Sequence, residues 1–65
     1  MAEETEVYFE ITVVGPSAKI SAVDAATAVE VAVIAPARLP VADMKKLALA
    51  KLKAQIARAH RGGAS

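Results

Sequence analysis

The apolar residues of this chain change their period once, between Pro36 and Pro40, and that change fixes most of what it can fold into. Before it they alternate with polar residues in short runs, the two-residue period of half-buried strands; after it they recur at steps of three and four, the period of an amphipathic helix. Over residues 7–14, Val7, Phe9, Ile11 and Val13 fall on one side and Tyr8, Glu10 and Thr12 on the other. Gly15-Pro16-Ser17 ends that run, since proline offers no amide to a ladder and glycine accepts turn dihedrals that other residues resist, so a hairpin is expected there. A weaker run over 18–24 sets Ala18, Ile20 and Ala22 against Lys19, Ser21 and Val23. Asp24 to Ala28 reads as a turn, because an aspartate side chain can accept bonds from the amides that follow it. A third run over 29–35 turns Val29, Val31, Val33 and Ala35 inward, and Pro36 closes it.

Pro40 suits the first turn of a helix, where its missing amide would have had no partner. From Val41, the positions Met44, Ala48, Leu52, Ile56 and Ala59 make one apolar stripe, flanked by Leu49. Asp43, Lys46, Lys53 and Arg61 belong to the opposite, solvated face; Gly62-Gly63 are expected to stop the helix and leave 62–65 as a mobile tail. Neither the stripe nor the inner faces of the strands can stay wet, so the stripe must cover the sheet. The predicted fold is α+β: a three-stranded antiparallel β-meander packed against one C-terminal α-helix (β-β-β-α), in a single domain spanning 1–65 with its helix at about 40–61. Such a helix, roughly 30 Å long at 1.5 Å per residue, is longer than three short strands can shelter.

A chain of 65 residues is one domain. At that size only roughly 60% of the unfolded surface is buried, so stability is marginal unless a metal, a disulfide or a second subunit helps. The chain has no cysteine and one histidine, His60, which removes disulfides, thiolate zinc sites and thiol nucleophiles and points to self-association as the supplement. Leu47, Val14, Val23 and Ile34 fit the inner faces of a monomer poorly and also favour a homodimer, formed through a sheet edge or through the helix, with the edge preferred because an open strand is a liability. The acidic N-terminal stretch is unlike a secretory signal and the longest apolar run, Val31 to Ala37, is too short to span a bilayer, so a cytoplasmic protein with no membrane partner is expected.

The net charge of +1 hides a division: residues 1–37 carry −5 and residues 38–65 carry +6. That polarity can seat a partner or pair subunits. The candidate interaction surface is accordingly the helix, through Lys46, Leu47, Lys51, Lys53, Arg58 and Arg61. Its cations could contact phosphates, but they spread around the helix instead of forming a row, and the only aromatics, Tyr8 and Phe9, lie at the acidic end. Glu10 and Glu30 stand on outward positions of separate strands, and nothing pairs Ser17 or Ser21 with a base, so no catalytic residues, cofactor or metal are assigned and the chain is read as a non-enzyme. An Ala- and Val-rich core is expected to leave little room for a ligand pocket. The leading reading is a non-catalytic protein-interaction or structural accessory module acting as a homodimer, and the alternative is a nucleic-acid-binding accessory protein that uses the basic helix.

The stretch Phe9-Glu10-Ile11, Val14-Gly15, Lys19 through Val31, then Ala35-Pro36-Ala37 and Leu47-Ala48-Leu49-Ala50-Lys51-Leu52, resembles a small bacterial domain family of unknown function. Members are sometimes mislabelled serine hydroxymethyltransferase, and the resemblance supplies no catalytic residues. The family pattern resembles Asp-Ala-x-Thr-Gly, whereas this chain has Ala28 in place of that glycine. Either Ala28 adopts a positive φ, at a cost of roughly 1–2 kcal/mol, or the turn is rebuilt.

Overall fold

The structure is a computed structural model that describes residues 6–64, with the backbone alone for 60–64. Three strands, β1 (Val7–Val14), β2 (Ser17–Asp24) and β3 (Glu30–Pro36), precede one helix, α1 (Val41–Ala64). They form an antiparallel sheet in the order β1-β2-β3, the meander that the alternation predicts. Its register sets inward residues opposite inward residues: Phe9 opposes Ala22, Ile11 opposes Ile20, and Ile20 opposes Val33.

Each hairpin connection turns on one residue with a positive φ. Gly15, at φ +59°, and Pro16 form the two-residue loop between Val14 and Ser17. A positive first φ followed by a proline, whose φ is fixed near −65°, matches a type II′ hairpin turn, the hand that suits the twist of the strands. Between β2 and β3, Ala28 takes φ +64°, so the turn keeps the left-handed geometry despite the absent glycine. The Asp24 carboxylate holds it by accepting from the Thr27 amide at 3.0 Å and the Thr27 hydroxyl at 2.7 Å. That hydroxyl oxygen accepts in turn from the Val29 amide at 3.2 Å.

The Pro40 carbonyl accepts from the amides of Asp43 and Met44, so Pro40 stands just before the helix instead of inside its first turn. The helical backbone runs through Gly62 and Gly63 to Ala64, beyond the stop expected at residue 61. Glycine in a helix costs about 1 kcal/mol relative to alanine, a penalty and not a prohibition. Of the tail expected at 62–65, Ser65 lies outside the described residues. No helix among the described residues is long and apolar enough to cross a membrane.

Met44, Ala48 and Leu52 are buried against Ala18, Ile20, Ala22, Val31 and Ala35, so the stripe covers the sheet as its spacing requires. The cover is uneven. The helix packs chiefly on β2 and β3, and Val7, Phe9 and Ile11 of β1 are only half-buried. Val13, an inward position by period, is 58% exposed. The helix also overhangs the sheet, leaving Val41 and Ala59 at the two ends of the stripe exposed.

Candidate functional site

The off-centre helix gives the sheet two unlike edges. In an antiparallel pair the backbone groups of alternate residues turn toward the neighbouring strand and those between turn away. The Glu6 carbonyl accepts from the Ala25 amide, so the even residues of β1 face β2, while the N–H and C=O groups of Val7, Phe9, Ile11 and Val13 face outward. Among the described residues no side chain bonds to those groups. On β3 the outward groups belong to Glu30, Ala32 and Ile34, and there the Lys51 ammonium, reaching down from the helix, donates to the Ala32 carbonyl at 2.9 Å. A strand adding to β3 must displace that lysine. A strand adding to β1 meets no such obstacle.

Beside the bare edge lies a groove of about 490 Å³, floored by Val7 and Phe9 and walled by Leu49, Leu52 and Ile56 of the helix. The expectation that so small a core leaves little room for a pocket is therefore corrected: the space lies beside the core, where the helix fails to reach β1. Lys53 stands at its rim, and the Lys45 ammonium sits 5.6 Å from the centre of the Phe9 ring, a favourable cation–π distance. Asp24 also borders the groove, and one oxygen of its carboxylate, Oδ2, accepts both bonds from Thr27.

The residues singled out on the helix fall in two strips, Leu47, Lys51 and Arg58 in one and Lys46 and Lys53 in the other. Lys46, Leu47, Lys53 and Arg58 are exposed, and Lys53 lines the groove on the β1 side. Lys51 leans to the opposite side, toward β3. The side chain of Arg61, like that of His60, lies outside the described residues. Sequence reasoning missed Tyr8 and Val13, which are 59% and 58% exposed on β1 beside Val14 at 71%. Their alternation was legible; the position of the helix relative to β1 was not.

The Tyr8 hydroxyl donates to the Glu6 carboxylate at 2.7 Å. That bond, together with the negative charge of Glu6, raises the phenol's pKa above 10.0. Glu10 and Glu30 are exposed and separated by β2, so they do not converge on a common point. No group of three acidic, histidine or cysteine residues able to hold a metal occurs among the described residues. The chain matches, over residues 4–59, the family model described as Domain of unknown function (DUF6898). No curated protein and no solved structure matches it.

Proposed function

We propose that this chain, which belongs to the family described as Domain of unknown function (DUF6898), is a non-catalytic interaction module that works through the open flank at β1. The observation that carries this reading is the contrast between its two edges: β3 is occupied at its middle by Lys51, whereas β1 presents four outward-facing residues whose backbone groups have no partner among the described residues and three exposed large apolar side chains. Natural sheets blunt an edge with lysine, proline, a bulge or an inward charge. Strand β1 has none of these: its pairing with β2 is continuous, and its inward positions are Val7, Phe9, Ile11 and Val13. A partner's strand laid along β1 would gain main-chain bonds from the edge and side-chain contacts from the groove.

The test is capture of partners from the native cell by the wild-type chain and by Val13→Pro. The Val13 amide points outward, so proline there removes no bond of the internal ladder, and edge positions tolerate it. Partners retained by the wild type and lost by a folded Val13→Pro support the module. Partners that bind both chains equally would place recognition elsewhere. Nuclease-sensitive co-purification would favour the basic helix, whose cations are divided between two flanks.

A further inference from the structure

We infer that the strand received by β1 is β1 of a second copy of this chain, paired antiparallel about a two-fold axis through Ile11. The inference rests on the open flank proposed above and adds to it the partner and the register.

An antiparallel self-pairing must set outward-facing residues opposite one another, which allows two-fold axes at Phe9, Glu10, Ile11 or Thr12 and shorter overlaps beyond. An axis at Phe9 leaves Val13 and Val14 opposite nothing in the partner's β1, although both are among the most exposed apolar residues of the chain. An axis at Glu10 sets the two Glu10 carboxylates directly opposite each other, a destabilising like-charge pair. An axis at Thr12 opposes Tyr8 to the partner's Pro16 and Glu10 to the partner's Val14.

The axis at Ile11 avoids all of these mismatches. On the outer face it opposes Tyr8 to the partner's Val14 and Glu10 to the partner's Thr12. On the inner face it opposes Phe9 to the partner's Val13 and Ile11 to the partner's Ile11. All three exposed apolar residues of β1 gain an apolar neighbour, and no charge meets its like. Tyr8, already opposite Val23 of its own β2, is enclosed between two valines. Each hydrogen-bonded pair exchanges two bonds, so the three pairs at 9, 11 and 13 supply about six across the axis.

The assembly closes at two chains. Pairing consumes both β1 edges and leaves the two β3 edges outermost, each with its Lys51 on the Ala32 carbonyl. An isologous contact of this kind makes a dimer and not a fibre. The axis stands normal to the sheet, so both helices lie on the same face of six strands.

Register can be read with single cysteines, because the chain has none of its own. Opposed residues of a non-hydrogen-bonded pair have Cα atoms about 4.5 Å apart, within the range that a disulfide spans. Glu10→Cys and Thr12→Cys, both at exposed positions, are oxidised separately and as an equimolar mixture. The expected result is a mixed disulfide as the dominant product of the mixture, with little cross-linking of either variant alone. Absence of the mixed disulfide, or Thr12→Cys cross-linking efficiently to itself with Glu10 in place, would overturn the register. In sedimentation, the untagged wild type is expected at twice 6.7 kDa and folded Val13→Pro at the mass of one chain. A wild type that sediments as one chain across the micromolar range would overturn the dimer, and a Val13→Pro variant that stays dimeric would overturn its seam at β1. In the first case, capture that still depends on Val13 would leave the interaction module standing with a different partner.

Discussion

Replacing Ala28 with glycine is expected to stabilise the protein, which is unusual for removing a methyl group. Ala28 holds φ +64°, a region that costs a residue with a Cβ roughly 1–2 kcal/mol and glycine nothing. The side chain is exposed, so its loss removes little burial, and the bond from the Ala28 amide to the Asp24 carbonyl at 2.7 Å is a backbone bond that survives. Against this, glycine frees the unfolded chain, which returns about 0.4–1 kcal/mol. The balance is a gain of about 0.5–1 kcal/mol, or a rise of roughly 0.5 M in the urea midpoint at an m-value of about 1–2 kcal/mol/M. The control is Ala26→Gly, at an exposed position of the same turn with no positive φ; it carries the same unfolded-state cost without the relief, and its midpoint should fall. All chains are compared at one concentration, because association adds to apparent stability. If Ala28→Gly lowers the midpoint as much as Ala26→Gly does, the left-handed residue is not what strains this turn.

Leu52→Ala should cost about 2–5 kcal/mol, comparable with the whole stability of a small domain, and circular dichroism should show substantial loss of structure in water; Leu52 is one of the two largest fully buried side chains. Thr27→Val keeps the shape but removes both bonds of the hydroxyl, leaving the buried Asp24 carboxylate short of a donor, for a loss of about 1–3 kcal/mol by urea unfolding that Thr27→Ser should largely avoid. Tyr8 is the sole tyrosine, so its ionisation can be followed directly in the ultraviolet. Its raised pKa means that the native state favours the protonated phenol: the bond to Glu6 is fully present below pH 10.0 and is lost as the pH rises through the native value. Glu6→Gln should move the midpoint back toward 10.0, and an unchanged midpoint would sever the link between these two side chains.

The strands were legible because every inward residue of β1 opposes an inward residue of β2, so alternation alone marks both faces. Gly15-Pro16 and Asp24 marked the turns for local reasons that need no tertiary information. The stripe through Met44, Ala48 and Leu52 likewise says which side of the helix is buried. It does not say which strands receive that side. The clue lay in residue size: Ala18, Ala22 and Ala35 on β2 and β3 are small and let Ala48 approach closely, whereas β1 presents Val7, Phe9, Ile11 and Val13. A helix drawn toward the alanines leaves the larger residues at its flank, and the groove follows from that offset. The bond from Lys51 to Ala32 was hidden for the same reason, since it joins residues 19 apart through the seating of the helix.

Strand β1 does carry acids, and they could be taken as the guard that its edge otherwise lacks. Glu10 points to the outer face, and an exposed like-charge pair 4–5 Å apart is worth only about 1 kcal/mol in water and less with salt. That is too little to forbid strand addition, yet it acts only when the two-fold axis falls on Glu10 itself. Moving the axis by one residue, to Ile11, opposes each carboxylate to a threonine instead. The charge therefore selects among registers more than it protects the edge. A lysine in the same strand would be the stronger deterrent, but Lys19 lies on the central strand, and the lysine that does guard an edge, Lys51, guards β3. Protection on one side and an apolar, self-complementary strand on the other are what a sheet built to add one more chain, and then stop, requires.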